Sequence, residues 1–255
     1  MIFAFANQKG GVGKTTTAVT LADGLARMKK RTLLVDLDPQ GHLALSFGLE
    51  KSPGLYRLVC LDEPLSSVVV PVRPNLDLVA GDKQTEKVKR QITLADFRET
   101  ILSDILASSA YDAVLLDLAP SLDVLHINGL IAADWVVIPT RLDALAVDGV
   151  KEILTTMAEI GRNGHSYRGY SILPTFFDRT TRETLLQFEE LTRVFGASVW
   201  PPVPQDTRVR ETAAYGQTLW EYSPRSTSIE GFKDGRQRLG GYRQVLARVL
   251  EVLDA

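Results

Sequence analysis

The chain has 255 residues, 45% of them hydrophobic and 24% charged, so it can fill a sizeable apolar core and is not predicted to be disordered. Its 29 Lys and Arg against 31 Asp and Glu leave a net charge of −2, which excludes a surface that is basic throughout. Cys60 is the only cysteine, which excludes an internal disulfide or a Cys-rich metal site and indicates a reducing compartment.

Short apolar runs alternate with longer amphipathic segments along the chain. The runs predict strands buried on both faces, at residues 2–6, 32–35, 76–79, 113–116, 136–138 and 170–173. The amphipathic segments predict helices at residues 15–28, 94–107, 122–132, 147–160 and 183–195. This alternation is typical of an α/β fold with a doubly wound, mainly parallel β-sheet flanked by helices. Since no linker or repeat interrupts it, we expect residues 1–255 to form a single domain.

Two segments lack this alternation. Residues 51–75 contain four prolines and are predicted to be an irregular excursion at the rim of the sheet. Residues 201–241 are rich in Pro, Gly, Arg and Thr, with a short strand candidate near 219–222. Long irregular segments in a compact domain are commonly binding surfaces or lids, although a surface loop without function has the same composition.

A glycine-rich loop between the first strand and the first helix is the strongest local signal. It consists of Lys9, Gly10, Gly11, Val12, Gly13, Lys14, Thr15 and Thr16. Glycines let several backbone N–H groups point at one anion, and the N-terminus of the helix adds a partial positive charge. The pattern predicts a P-loop for ATP, in which Lys14 contacts the β- and γ-phosphates and the Thr15 hydroxyl binds Mg²⁺. Gln8 stands where the general pattern has glycine.

Carboxylates at the ends of two predicted strands complete the predicted site. Asp117 ends an apolar strand, the position at which a Walker B aspartate holds Mg²⁺ through water. Asp36 and Asp38 follow the second strand. Asp38 is predicted to orient the water that attacks the γ-phosphate. Asp36 either supports the outer shell of the metal or serves only as a helix cap or turn residue.

Several motifs together resemble the ParA/Soj partition ATPases of the MinD/ParA group of deviant Walker P-loop proteins. They are the loop that starts at Asn7-Gln8-Lys9, the run from Asp36 to Gly41, Asp117 with Pro120-Ser121, Ile138-Pro139, Pro204 with Arg208 and Glu211, and the run from Tyr222 to Ser226. These motifs occur in the family's order and span most of the chain.

The resemblance implies an ATPase that forms a homodimer when ATP is bound. In this family the signature lysine, matched here by Lys9, crosses to the phosphates of the partner subunit, and the aspartate matched by Asp38 is required for hydrolysis. Lys9, Lys14 and Asp38 are therefore the expected catalytic residues, with ATP and Mg²⁺ as cofactors. The family also implies non-specific binding to double-stranded DNA by the dimer, and stimulation by a ParB-like activator protein.

The sequence departs from the family at three places. Ala119-Pro120-Ser121 replaces Pro-Pro-Ser, and Arg141 and Asp143 replace a glutamine and a glutamate. Pro204, Gln205 and Asp206 stand where the family has Pro-Arg-Asn. By resemblance this last loop lies against the adenine, so these three residues are the expected base contacts.

Arginine dominates the basic residues of the last third of the chain. Arginine pairs bidentately with phosphate, which suits contacts to a DNA backbone without base reading. The candidate DNA contacts are Arg179, Arg182, Arg208, Arg210, Arg225, Lys233, Arg236 and Arg238. Arg208 coincides with a family DNA contact, and residues 231–241 resemble an insertion that extends the patch. Ordinary solvated arginines are the alternative interpretation.

The expected function is partition of a chromosome or plasmid by a cytoplasmic, nucleoid-associated ATPase. The first residues do not form a signal peptide, and no apolar stretch approaches the ~20 residues of a membrane span. One alternative is an ATPase that positions a protein cluster or organelle on the nucleoid. Another is a MinD-like membrane ATPase, for which the amphipathic tail at 242–253 would be the cue; acidic residues near its end instead favour packing on the sheet, so a membrane partner is not expected.

Overall fold

The computed structural model describes residues 1–235 and 237–255. A seven-stranded sheet has the strand order β3-β4-β2-β5-β1-β6-β7. The strands are β1 (Ile2–Phe5), β2 (Thr32–Asp36), β3 (Val70–Arg73), β4 (Leu76–Val79), β5 (Ala113–Asp117), β6 (Trp135–Arg141) and β7 (Gly169–Thr175). Every neighbouring pair is parallel except β3 and β4. The predicted doubly wound, mainly parallel sheet is confirmed.

Helices cover both faces of this sheet. They are α1 (Lys14–Arg27), α2 (His42–Ser46), α3 (Gly54–Cys60), α4 (Leu65–Val68), α5 (Thr85–Leu94), α6 (Ile101–Leu106), α7 (Val124–Ala132), α8 (Ala146–Arg162), α9 (Arg182–Phe195), α10 (Arg208–Glu211), α11 (Leu219–Tyr222), α12 (Thr227–Glu230) and α13 (Tyr242–Asp254). A two-stranded hairpin, β8 (Phe232–Asp234) and β9 (Gln237–Leu239), precedes α13.

Side chains that alternate along each strand supply two separate cores. In β2, Leu33 and Val35 join the core under α3 and α5 to α9, whereas Leu34 joins the core under α1, α2 and α11 to α13. Successive strand residues point to opposite faces, so a strand covered on both faces is apolar throughout. This is why the predicted apolar runs coincide with the strands.

The segment predicted as one helix at residues 94–107 is two helices with a turn between them. Helix α5 ends at Leu94, Ala95 is extended, and α6 begins only at Ile101. Phe97 has a φ of 51°, which a right-handed helix does not allow. The apolar spacing continues across this turn, so the prediction from periodicity joined the two helices into one and left out most of α5.

The two segments predicted to be irregular contain regular structure. Residues 51–75 form α3, α4 and strand β3. Residues 219–222, the strand candidate, form helix α11 instead. Thr218 caps that helix: its side chain accepts from the N–H of Glu221, while the Glu221 carboxylate accepts from the N–H of Thr218. This reciprocal capping box fixes a helix start and overrides the strand propensity of the apolar run.

The amphipathic tail packs inside the molecule. Helix α13 buries Tyr242, Val245, Leu246 and Val249 in the core that also contains α1. The Tyr242 hydroxyl lies 2.9 Å from the Thr17 hydroxyl of α1. The apolar face of α13 therefore packs against the protein's own core. In the described part of the chain, no helix combines the length and the apolar character needed to cross a membrane.

Trp220 of α11 fastens the segment after β7 to α1. Its indole N–H donates to the carbonyl of Thr20 at 2.8 Å, and the residue is 8% exposed. We predict that Trp220→Ala lowers the free energy of unfolding by about 3–5 kcal/mol, because it leaves a cavity at this junction. Urea unfolding measures the loss. Leu186→Ala, at a side chain that is 51% exposed, is the control and should change the free energy by less than about 0.5 kcal/mol.

Candidate functional site

The predicted site residues meet at the carboxyl edge of the central strands. The glycine-rich loop connects β1 to α1, and Asp117, at the end of β5, pairs in register with Phe5 of β1 and Asp36 of β2. In sheets of this class, ligands bind at this edge. The structure therefore brings the predicted phosphate loop and the predicted metal carboxylates together.

The loop has the backbone conformation of an anion cradle. Gly11 and Gly13 have φ angles of 71° and 91°, in the left-handed region that favours glycine. A Cβ at Gly10 or Gly11 would meet no atom within 4 Å, so the space next to these two glycines is open. Gly13 is the N-cap of α1, and no side chain caps it. The first N–H groups of the helix are therefore free of a side-chain partner and suit an anion.

Lys14 lies inside this loop rather than in solvent. Its ammonium donates to the carbonyls of Asn7 at 3.0 Å and Lys9 at 3.1 Å, and the residue is 7% exposed. Burial lowers the pKa of Lys14, and the negative charges of Asp117 and Asp38 partly oppose this by raising it. The cation is thus held where the two ends of the loop meet, beside the carboxylates.

Lys9 points away from Lys14, towards the loop before α8. Its ammonium lies 3.3 Å from the Asp143 carboxylate and donates to the carbonyl of Leu145 at 2.8 Å. The Lys9 N–H donates to the side chain of Asn7, whose own amide donates to the carbonyl of Pro139. Both charged side chains are about one third exposed or more, at 31% for Lys9 and 43% for Asp143, so solvent weakens this ion pair.

Asp36 and Asp38 differ in burial and in partners. Asp36 is fully buried and accepts from the N–H groups of Asp38 and Leu43, each at 3.1 Å. Burial, helped by the Asp117 charge, raises the pKa of Asp36 well above its usual range. Asp38 accepts from the N–H of Gln40 and borders the open cavity next to the loop. Asp36 therefore serves as a turn and helix-start residue here, and the predicted metal role for it rests only on its closeness to Asp117.

Asp117 carries the clearest sign of a cation site. It is 1% exposed, and its Oδ1 has no hydrogen-bond partner among the described residues. Burial raises the pKa of Asp117 to about 7, against the opposing effects of the Thr15 hydroxyl and the Lys14 charge. A buried carboxylate oxygen beside a hydroxyl is a donor set that suits Mg²⁺. The residues present therefore fit a magnesium–nucleotide, which the Thr15 hydroxyl and the Asp117 carboxylate would hold.

A cavity of about 340 Å³ lies over the loop. Besides the loop residues and Asp38, it is lined by His42, Pro120 and Phe176. Neither His42 nor Phe176 was expected there from the sequence. Their positions in the sequence could have predicted that both residues line the cavity. His42 begins the helix after Asp38 and Gly41, and Phe176 follows the last residue of β7 at the same edge of the sheet.

The predicted base contacts line a narrow cleft beside the loop. Pro204, Gln205 and Asp206 face Gly13 and Phe176 across it. The Asp206 carboxylate accepts from the N–H groups of Arg208 and Thr227, each at 3.0 Å. The Asp206 carboxylate therefore braces its own segment, whereas Gln205 lines the cleft and is exposed.

The candidate DNA contacts are all exposed where the structure describes them, and a hydrogen bond joins two of them. The Arg179 guanidinium donates to the carbonyl of Lys233 at 3.3 Å and lies 4.9 Å from the centre of the Phe232 ring. Arg208 reaches the Ser223 hydroxyl, two residues before Arg225. Arg182, Arg210 and Arg238 are also exposed, and Arg236 lies outside the described residues.

Comparisons with known proteins agree with this geometry. Residues 1–167 match the family model described as an AAA domain. The chain is 39% identical over 251 residues to the chromosome-partitioning ATPase Soj of Thermus thermophilus, covering 97% of this chain and 96% of that protein.

Two solved structures share the fold. A putative plasmid partition protein from Borrelia burgdorferi bound to AMPPNP has a TM-score of 0.77 at 22% identity, covering 98% of this chain and 97% of that one. Cobyrinic acid a,c-diamide synthase from Mycobacterium smegmatis, with a bound ATP analogue and magnesium, has a TM-score of 0.73 at 28% identity, with 84% and 92% covered. The chain belongs to the AAA domain family and, within it, to the Soj/ParA group of partition ATPases.

Proposed function

We propose that residues 1–255 act as one ATPase domain whose ATP-bound homodimer binds double-stranded DNA without sequence preference and releases it after hydrolysis. One observation carries the proposal: a single short segment serves the nucleotide cleft and the arginine surface. Pro204, Gln205 and Val209 line the cleft, while Arg208 and Arg210, from the same stretch, are exposed. A nucleotide that orders this segment therefore also orders the arginines.

The chain's own residues divide the chemistry of hydrolysis between them. Backbone N–H groups of the loop from Gly10 to Thr16, with Lys14, hold the phosphates. Thr15 and Asp117 hold Mg²⁺, and Asp36, which pairs in register with Asp117 on the neighbouring strand, supports the outer shell of the metal. Bound Mg²⁺ offsets the charge that develops on the phosphate oxygens. Asp38, at the wall of the cavity, orients the attacking water.

Lys9 supplies the dependence of dimerisation on the γ-phosphate. Two nucleotides that face each other across an interface bring dense negative charge together, and a cation donated from each subunit offsets the repulsion. The exposed contact of Lys9 with Asp143 and Leu145 supports this role, because a screened ion pair at the rim can be exchanged for a phosphate.

The cargo and the activator set the biological outcome. We propose chromosome or plasmid partition, with a ParB-like activator and location on the nucleoid in the cytoplasm, because the chain belongs to the Soj/ParA group. An ATPase that positions a protein cluster or organelle on the nucleoid would use the same DNA cycle. The identity of the activating partner distinguishes the two.

The first prediction concerns the DNA switch. In the Asp38→Ala protein with ATP, hydrolysis stops and the dimer persists, so binding to random-sequence duplex DNA should be tight and should weaken steeply as salt rises. The same protein with ADP should bind weakly at every salt concentration. Fluorescence anisotropy of a labelled duplex measures both states. Equal affinity with ADP and ATP, or no binding in either state, would contradict the DNA switch.

The second prediction concerns Lys9. Lys9→Ala should retain nucleotide binding, because Lys14 and the loop remain, but should lose dimerisation with ATP. Light scattering gives the mass, and fluorescence of a labelled nucleotide gives the affinity. Lys151→Ala, which removes an exposed lysine from α8, is the matched control and should dimerise normally. A Lys9→Ala protein that remains a dimer with ATP would refute the assignment.

The third prediction concerns Arg208. If its guanidinium binds a DNA phosphate, Arg208→Ala should weaken binding equally for all sequences and lower the slope of log affinity against log salt by about one unit. The control is Arg162→Ala, because Arg162 is exposed on α8, outside the candidate set. An unchanged affinity and slope for Arg208→Ala would remove Arg208 from the DNA surface.

A further inference from the structure

The loop from Leu118 to Asp123 forms one wall of the phosphate cavity. It follows Asp117 directly, and Pro120 lines the cavity opposite the glycine-rich loop. Leu118 and Ala119 are buried beneath it, at 1% and 6% exposure. The position of Pro120 therefore depends on how the buried backbone at Ala119 is held.

The far end of this loop is fixed by Asp123. One carboxylate oxygen accepts from the N–H groups of Leu125 and His126, each at 3.0 Å, and so caps α7. The other oxygen accepts from the Ser121 hydroxyl at 2.8 Å and pairs with Lys89 of α5 at 2.9 Å. These contacts anchor the loop where it enters the helix and at Ser121, but they do not reach the backbone of Ala119 on the other side of Pro120.

The near end is held by His126, on the first turn of α7. Its Nδ1 lies 3.2 Å from the carbonyl oxygen of Ala119, and the residue is 2% exposed. A carbonyl oxygen only accepts hydrogen bonds, so this contact requires the proton on Nδ1. Burial lowers the pKa of His126, which keeps the ring neutral, with Nε2 as a bare acceptor.

Packing alone does not explain a histidine at position 126, because a buried imidazole lowers the stability of the fold when one nitrogen has no partner. Its Nε2 is buried and has no hydrogen-bond partner among the residues that the structure describes. A buried polar atom without a partner destabilises a fold, and an apolar side chain of similar volume would avoid this cost. His126 is one of four described residues with such an atom, and it is the one that contacts the backbone next to Pro120 in the wall of the phosphate cavity. Exceptions of this kind are expected at functional sites.

We infer that His126 is a positioning residue for ATP hydrolysis, which holds the Ala119 carbonyl through Nδ1–H and thereby fixes Pro120 against the bound phosphates. The inference rests on the proposed assignment of this cavity to the triphosphate. His126 does not touch the phosphates. Its effect is on the geometry of the reacting groups, so it changes kcat rather than ATP affinity.

Three substitutions at position 126 separate this role from packing. His126→Asn keeps an amide N–H at the location of Nδ1, His126→Gln moves the amide one bond further, and His126→Leu removes both nitrogens. We expect kcat within about twofold of the original for His126→Asn. For His126→Gln and His126→Leu we expect a loss of about tenfold, with KM for ATP changed less than about threefold. Phosphate release with Mg²⁺ gives both constants.

The matched control is Asn128→Leu, two residues further along α7. Asn128 is fully buried, and its amide binds the carbonyls of Arg98 and Val124 and the N–H of Leu102. This variant also loses buried hydrogen bonds, but they hold the turn before α6 and not the cavity wall. It should lower the thermal unfolding midpoint and leave kcat within about twofold.

Two results would overturn the inference: equal kcat for His126→Asn and His126→Gln, or a loss of kcat in Asn128→Leu as large as in His126→Leu. If His126→Leu does not fold, the comparison of the asparagine and glutamine variants still decides. Lys14→Ala, measured in parallel, separates this inference from the proposed function. Unchanged ATP binding in Lys14→Ala would mean that the cavity is not the phosphate site. If Lys14→Ala instead loses ATP binding, and His126→Asn and His126→Gln have equal kcat, only the role of His126 is contradicted.

Discussion

Two carboxylates buried side by side at the ends of β2 and β5 are the constraint on which the candidate site depends. Asp36 and Asp117 pair in register and are almost completely removed from solvent. Burial raises the pKa of both carboxyls, and the Asp117 charge raises that of Asp36 further. Lys14 opposes this effect but is itself desolvated. The ionisation of two neighbouring carboxyl groups is unfavourable in a region of low dielectric. The edge of the sheet therefore favours binding of a cation, and the glycine-rich loop above it favours binding of an anion. A magnesium–nucleotide supplies both.

The same edge explains why the segment after β7 matters to the site. Pro204 and Val209 reach the nucleotide cleft because the chain from Val199 to Pro204 runs parallel beside β7 and so arrives at the same edge of the sheet. Further along the chain, Trp220 and Tyr242 fasten α11 and α13 to α1, the helix that begins at the phosphate loop. Arg208 and Arg210 lie on α10, which contacts α11, and α11 in turn packs on α1.

Sequence patterns predicted the parts of the structure that depend on local chemistry. Buried parallel strands must be apolar, and a phosphate loop must be glycine-rich, so the positions of β1, β2 and β5 were predictable to within one residue at their ends, and that of the loop from its glycines. The break at Phe97 was not, because apolar spacing continues through it. Helix α11 was also missed, although Thr218 and Glu221 form a readable capping box. The contacts of Lys9 with Asp143 and of His126 with Ala119 depend on tertiary packing and on a tautomer, and no spacing rule encodes them.

The wall of the phosphate cavity is stiffened in this chain by hydrogen bonds. The family resemblance places proline at position 119, where ring closure fixes φ without any partner. Here Ala119 is free of that restraint, although the following Pro120 still limits its backbone. Asp123 and His126 supply the missing restraint from α7, one at each end of the loop. A covalent restraint persists in every state of the protein, whereas a hydrogen bond to one carbonyl can break and re-form. The wall in this chain is therefore rigid only while α7 stays in register with the loop, which ties the geometry at the phosphates to the helix behind it.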